Sequence, residues 1–525
     1  MVMKSSVGVS YSAFWGIPYT KPPVGKLRFA NPEPNDPWEG TYDATKPKNA
    51  CIQYIVLVPS APMFGVEDCL YLNVFVPDRN AHHSDLLPVM VYIHGGSFAY
   101  GSAQPEQRNP SRFMSSRKVI IVTFQYRLGV LGFFSTGDSA APGNFGMKDQ
   151  VMVLRWVQKN IQAFGGDPNH VTIFGESAGG ASTQLHMMSP LSKGLFHRAV
   201  SMSGSAISAW SVPIENPLEL ARNHAKVLGI VDAETLPTAD LIEKLRDVDA
   251  AELITSAELL KVWDIHPVVF YHPVVEPVET PEAFLTEDPR VAWRRGAYAS
   301  VPWLTGSIPK DGSFVTQTVY RNNSLIEDLN KKFTTLLPLV VRTRVTENKL
   351  MRLRKRFLKN TSPINWITKD NYDEITKMIS EAWFLYPMMR SIKQHLANRK
   401  RSPISVYSFE FLGQYSFSAL YTGTDKPYGI THLDDVIYLF QIPLLFPDFT
   451  ARSPEAEMSK LWVKLILDFA TNELAAKDGT CYGKKCDVIT FNNTYDPHYP
   501  VRRTISQGLD EEMYTFWKSF FEDVA

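Results

Sequence analysis

Ser177 sits in Gly175-Glu176-Ser177-Ala178-Gly179, after the apolar run Val171-Thr172-Ile173-Phe174 and before a helix-compatible run at 181–188. A serine hydroxyl is a poor nucleophile at neutral pH. It needs a base to take its proton, and donors for the oxyanion that forms when it attacks a carbonyl. A G-x-S-x-G between a buried strand and a helix reads as a nucleophile elbow. The glycines permit a turn tight enough to hold the serine, strained, above a sheet. Elsewhere the same five residues would be a glycine-rich turn with an incidental serine; the flanking strand and helix favour the chemical reading.

Partners for the serine can be sought along the chain. His94-Gly95-Gly96-Ser97-Phe98 follows an apolar strand at 89–93. Its glycines let backbone N–H groups approach a substrate oxygen, and the Ala178 N–H adds a donor at the start of a helix. With an elbow of this kind the chain order is nucleophile, acid, histidine. The strand 301–306 runs into Ser307-Ile308-Pro309-Lys310-Asp311-Gly312-Ser313, where Asp311 is the only carboxylate, although Asp-Gly is also a common turn pair. Twelve histidines compete for the role of base. His82 and His83 fall in a polar loop, His224 and His395 in helical patterns, and His94 in the glycine loop. His432, in Tyr428-Gly429-Ile430-Thr431-His432-Leu433-Asp434-Asp435, has the required position, after what reads as the last core strand at 404–409.

These residues need a sheet to hold them. Short strands rich in Val, Ile and Tyr at 70–76, 89–93 and 119–126 precede a helix at 146–164 with Val151, Leu154, Val157 and Ile161 on one face. A further buried strand follows the elbow at 199–202. Such alternation predicts a large, mostly parallel twisted sheet flanked by helices, the α/β class, and the elbow on that sheet is the mark of the α/β-hydrolase fold. From 216 to 400 the pattern turns helical and loop-rich. Residues 216–300 and 314–400 are expected to be insertions on one core, so that 1–525 is a single domain.

Composition excludes some classes. With 54 basic and 54 acidic residues, the chain carries no global field for nucleic acid or an anionic membrane. No apolar run approaches the roughly 18 residues of a membrane span. The four cysteines read as two local pairs, Cys51 with Cys69 and Cys481 with Cys486. Reduced thiols or a metal site are the alternatives, and no zinc-type spacing supports the metal. N-glycosylation sequons occur at Asn322, Asn360 and Asn492. Cysteines and sequons point to secretion. The first residues show no apolar leader and the last no lipid anchor, so a cytoplasmic location is the alternative.

The chain resembles the type-B carboxylesterases, which include cholinesterases and insect esterases, over nearly its whole length. The residues that carry the likeness are Phe14-Trp15-Gly16-Ile17-Pro18-Tyr19, Pro22 to Phe29, Glu67-Asp68-Cys69-Leu70-Tyr71-Leu72-Asn73-Val74, Gln125-Tyr126-Arg127-Leu128-Gly129, Phe164-Gly165-Gly166-Asp167-Pro168 and the elbow. The resemblance implies Ser177 as nucleophile, His432 as base and Gly95, Gly96 and Ala178 as oxyanion donors. It implies a Cys51–Cys69 disulfide and ion pairs of Arg28 with Glu67 and Arg127 with Asp149. It also implies a secreted enzyme, with strands before the opening segment that are short or absent here. Most members have Glu where this chain has Asp311; insect β-esterases are similar to it in having Asp-Gly.

The 51–69 loop has no Trp, so the cation–π platform of cholinesterases is missing there. Juvenile hormone esterases resemble one another in having Gln at the position of Glu176. Glu176, Phe98 and Trp210 are expected at the substrate pocket, Trp210 limiting the acid side of the ester unless it is an ordinary core residue. Phe409, Phe411, Tyr415, Phe417 and Tyr421 fit either a gorge lining or plain packing. The resemblance implies a small ester as substrate, no cofactor or metal, and a monomer or weak dimer. A slow, sequestering esterase and a non-catalytic adhesion protein of the same fold are the alternatives. Adhesion members typically lose the serine or histidine, and both are present here.

Overall fold

The computed structural model describes the chain apart from residues 59–60, 79–84, 212–215, 278–281, 344, 360–365, 399–401, 425–427, 475–479, 483–484, 495, 497–499 and 523–525. Among the described residues twelve strands form its sheet: β1 (Val2–Lys4), β2 (Ser10–Pro18), β3 (Tyr71–Pro77), β4 (Leu87–Ile93), β5 (Ile120–Phe124), β6 (Gly166–Glu176), β7 (Arg198–Met202), β8 (Trp303–Ser307), β9 (Ile404–Phe409), β10 (Cys481–Tyr482), β11 (Lys485–Asn493) and β12 (Val501–Gln507). Their order is β1-β2-β3-β5-β4-β6-β7-β8-β9-β11-β10, with β12 paired to β11. The strands from β5 through β11 along that path are parallel, and both flanks are antiparallel.

The parallel strands are buried on both faces, which is why β4 and β5 read as continuous apolar runs and not as alternating ones. Helices cover them, among them Phe145–Asn160, Ala178–Met188 and Pro454–Ala470. The helical stretches from Pro217–Val227 to Pro289–Arg295, and from Ser313–Tyr320 to Tyr386–Ala397, leave the sheet after β7 and β8 and return to it at β8 and β9. Among the described residues no helix is long and apolar enough to cross a membrane.

Strand order reverses at β4. β5 lies on one side of it and β6 on the other, so a crevice opens at their carboxyl ends. Ile93 is level with Gly175, and Glu176 with Met202. The glycine loop after β4 and the serine turn after β6 therefore start side by side.

One expectation needs correction. The strand at 404–409 is not the last of the core: β11 pairs with it in parallel, Val488 opposite Val406, and β12 extends the sheet further. Their sequences, KCDVITFNN and VRRTISQ, mix charge and amide with apolar residues, and this conceals them. His432 follows β9 at a distance, with the short helix Ser418–Thr422 between them. It lies in a turn before the short 3₁₀ helix Asp434–Tyr438.

Candidate active site

The elbow is strained as its pattern demands. Ser177 has φ 57° and ψ −122°, and its N–H donates to Met202 O at 2.8 Å. The strain sits on the serine; the glycines serve close approach. A Cβ on Gly175 would stand 2.4 Å from Ile93 O, and one on Gly179 2.0 Å from the same atom. The elbow can thus press against the end of β4.

Ser177 Oγ lies 2.8 Å from His432 Nε2, and His432 Nδ1 lies 2.7 Å from Asp311 Oδ1. All three residues are buried, Ser177 retaining 8% exposure. The structure thus brings together three side chains that span 255 positions of chain. Asp311 is fixed by its second oxygen, which accepts from Ile308 N at 3.0 Å, and Gly312 N donates to Ser380 Oγ at 2.8 Å. On the histidine side, Asp434 accepts from Thr431 N, Phe417 N and Ser416 Oγ at 2.9, 2.9 and 2.8 Å. Thr431 Oγ1 bonds Ser313 Oγ, tying the two loops together.

Sequence reasoning missed Ser380, Ser313 and Asp434. It also missed two rings that pack on His432. Phe314 stacks at 5.0 Å between centroids, and Phe384 lies 4.9 Å away. Phe384 belongs to a five-residue π-helical turn, Glu381–Leu385, a feature that leaves no periodic mark in sequence. Asp-Gly at 311–312, followed by Ser-Phe, was the available signal for Phe314.

The glycine loop differs from expectation at one point. Gly95 N–H donates to Glu176 Oε1 at 2.9 Å, so this amide is occupied and cannot serve a substrate oxygen. The amides of Gly96, Ser97 and Ala178 have no hydrogen-bond acceptor among the described residues. Ser97 replaces Gly95 in the group of open donors.

Glu176 also departs from its expected place at a pocket wall. It is 1% exposed, with Oε2 accepting from Tyr92 Oη at 2.6 Å and Oε1 lying 3.7 Å from Arg108 Nη2. Phe98 and Trp210 meet each other, centroids 6.5 Å apart, and Trp210 lies 5.9 Å from Phe384. Trp210 is anchored by Nε1, which donates to Trp383 O at 3.1 Å. An aromatic wall thus runs from the glycine loop to His432. Of the later aromatics, Tyr421 faces this wall through Phe314. Phe409 and Phe411 pack on Tyr438, and Tyr415 and Phe417 on Phe446.

The remaining expected pairs are present. Cys51 and Cys69 are at disulfide distance, 2.01 Å between sulfurs, as are Cys481 and Cys486 at 2.06 Å. Arg28 bonds Glu67 through Nε at 2.7 Å, and Arg127 bonds Asp149 at 2.9 and 2.7 Å. Such buried pairs fix loop geometry more than they add stability. Arg127 further holds Ala30 O, and Arg28 the carbonyls of 246 and 248, so each pins a neighbouring loop. Asn322 is exposed and caps a helix through Ser324 N. Asn492 lies on β11 and accepts from Arg502. Asn360, His82 and His83 lie outside the described residues.

A model described as the Carboxylesterase family matches residues 1–517. A juvenile hormone esterase of Tribolium castaneum is 37% identical over 475 residues, 88% of this chain and 79% of that protein. Venom carboxylesterase-6 of Apis mellifera is 35% identical, covering 81% of this chain and 76% of its own length. Among solved structures, the juvenile hormone esterase of Manduca sexta, crystallised with OTFP covalently attached, aligns at a TM-score of 0.85. That alignment has 25% identity and covers 99% of this chain and 97% of that one. With a sheet, a serine turn and relatives of this kind, the chain belongs to the carboxylesterase family and is a carboxylic-ester hydrolase.

Proposed function

We propose that Ser177, His432 and Asp311 carry out this hydrolysis through an acyl-serine intermediate. One observation carries the proposal: the unbroken chain of contacts, 2.8 and 2.7 Å, from Oγ through the imidazole to the carboxylate. His432 Nε2 takes the proton as Ser177 Oγ bonds to the ester carbonyl carbon. The carbonyl electron pair moves onto oxygen, which accepts from the amides of Gly96, Ser97 and Ala178. Collapse expels the alcohol, protonated by the imidazolium, and leaves an acyl-serine. Water, deprotonated by His432, then releases the acid. Asp311 holds Nδ1 protonated, so that Nε2 is the free base. The covalent adduct of the Manduca sexta enzyme supports the covalent reading by analogy.

Phe98, Trp210 and Phe384 are proposed to bound the acid side of the ester. The cysteine pairs, with Asn322 on the surface, support a secreted glycoprotein; the whole chain acts as one domain on one small ester, as a monomer or weak dimer. The similarity to two juvenile hormone esterases favours a second, narrower reading, in which such a hormone is the natural ester. Glu176 stands against it.

A burst assay with short- and medium-chain nitrophenyl esters, followed by mass mapping of an organophosphate adduct, tests the mechanism. Turnover after the burst and an adduct on Ser177 are expected. An adduct elsewhere, or hydrolysis surviving full labelling of Ser177, overturns it. Competition by juvenile hormone against the nitrophenyl ester separates the two substrate readings.

A further inference from the structure

Gly95 is held at both ends. Its N–H donates to Glu176 Oε1 at 2.9 Å, and its carbonyl lies 2.8 Å from His94 Nδ1. Burial pushes the His94 ring down to about 3, so the ring is neutral and Nδ1 must be the protonated nitrogen that donates to the carbonyl. The ring is itself fixed, stacked 4.4 Å from Tyr126, whose hydroxyl donates to His94 O at 2.8 Å.

The Gly95 carbonyl and the Gly96 N–H belong to one planar, trans peptide, and point in opposite directions. Fixing the carbonyl therefore aims the Gly96 amide. Glu176 supplies the other half, because it is also the residue before the nucleophile. Its carboxylate links the serine turn directly to the glycine loop. A Cβ on Gly95 would meet Glu176 O at 2.5 Å and Ser177 Cβ at 2.9 Å, so the two segments are in contact there.

The Glu176 carboxylate is completed from behind. Tyr92 donates to Oε2 at 2.6 Å, and Arg108 Nε donates to the same hydroxyl at 3.0 Å. Arg108 Nη2 stands 3.7 Å from Oε1. Arg108 is 8% exposed, so its charge stands in a buried setting beside the Glu176 carboxyl group.

We propose that Glu176, Tyr92 and Arg108 form a positioning unit that locks the Gly95 peptides against the serine turn, and so aims the Gly96 amide at the developing oxyanion. The unit touches no reacting atom, and the proposal rests on the acyl-serine reading above. With Tyr92 and Arg108 behind it, position 176 of this chain calls for a carboxylate. A Gln at 176 offers one acceptor oxygen to two donors. Its NH₂ group would face either the Gly95 N–H or the Tyr92 hydroxyl, which already accepts from Arg108.

The test compares hydrolysis of nitrophenyl acetate with inhibition by a short alkyl trifluoromethyl ketone. With the ketone, Ser177 Oγ bonds the carbonyl carbon, its proton passes to His432, and a tetrahedral oxyanion forms with no leaving group. Glu176→Gln is expected to lower kcat about 10- to 100-fold with KM nearly unchanged, less than the 10²–10³ typical of deleting a whole donor. Ketone affinity should fall by a similar factor.

Tyr92→Phe, which removes one hydroxyl and keeps the ring, is expected to do the same to a smaller extent. It covers the case in which Glu176→Gln fails to fold. Arg108→Met should lose activity that Arg108→Lys retains. A fall in kcat with ketone affinity unchanged in these variants overturns the proposal, as does a Tyr92→Phe enzyme identical to wild type in both measures. Ser177→Ala run alongside separates this from failure of the acyl-serine reading. Activity surviving in Ser177→Ala would overturn that reading instead.

Discussion

Two loop systems meet at Ser177, and they are secured by different means. The glycine loop is built from neighbours. β4 and β6 adjoin, their ends are in register, and Glu176, Tyr92 and His94 all lie within two residues of those ends. The proposed acid and base come instead from loops 121 residues apart, Asp311 after β8 and His432 well beyond β9. No strand register joins them. They are held by side-chain contacts from elements between them, Ser380 on Gly312, Ser313 on Thr431 and Phe384 on His432. Backbone pairing sets the proposed oxyanion side, and tertiary packing of the helical stretches sets the proposed proton-transfer side.

The largest effects are expected where the two sides join. Ser177→Ala should lower kcat on nitrophenyl esters about a million-fold, as removal of a nucleophile does in related chemistry. Its melting temperature should hardly change, since the hydroxyl's one partner among the described residues is His432. Residual hydrolysis within a hundredfold of wild type would show that another group attacks.

Asp311→Asn tests the packed side alone. It keeps the shape but replaces the acceptor opposite His432 Nδ1, favouring the wrong tautomer. A loss of about 10⁴-fold in kcat is expected, with the ester KM little changed. Near-normal kcat in a folded variant would mean that Asp311 only shapes its turn.

The contrast also explains what could be read from the chain. The parallel core and the serine elbow were legible because they are short, contiguous patterns, an apolar run with glycine at its end. Asp311 and His432, which the structure places in contact, were singled out by chain order and not by any local pattern. Phe314, Phe384, Ser380 and Asp434 went unnoticed, because their roles arise from contacts across the insertions. Near the elbow the residue types were visible and their directions were not. Glu176 was expected to face substrate, and Gly95 to donate to it, because sequence spacing does not reveal that β4 and β6 turn this side chain under the loop. The strands β11 and β12 escaped for another reason, since their half-buried positions mix polar and apolar residues.

A smaller effect is expected at the aromatic wall where the two sides touch. Trp210 is buried between Phe98 and Phe384. Trp210→Ala should raise the ratio of kcat/KM for nitrophenyl hexanoate over acetate roughly tenfold, the low end of the discrimination that a single methylene supplies. It should also destabilise the fold by about 3–5 kcal/mol through the cavity left behind. A ratio unchanged in the folded variant would remove Trp210 from the acid pocket and leave it a core residue.

The smallest effect concerns Asp435, three positions after His432 and the clearest oddity of the packed side. It is buried, and neither carboxylate oxygen has a hydrogen-bond partner among the described residues. Burial first, then the neighbouring charges of Asp311, Glu176 and Asp434, hold its pKa well above the usual carboxylate range. The folded protein therefore keeps this proton at pH values where the unfolded chain, near 3.9, has released it. Between those two values the folded state binds more protons, so this contribution to stability is full below about pH 4 and is lost as pH rises. Buried histidines act in the opposite sense: His186 and His266 are pushed down to about 3, so their contribution is lost as pH falls below about 6.5. They are the same in both proteins and cancel in a difference. Asp435→Asn removes one titration and keeps the shape, so the melting temperature of the variant minus that of wild type should increase from pH 5 to pH 8. The corresponding difference in unfolding free energy should change by at most about 1.4 kcal/mol per pH unit in that interval. A difference independent of pH would mean that Asp435 is ionised in the fold, and a cation or donor would then have to be sought beside it.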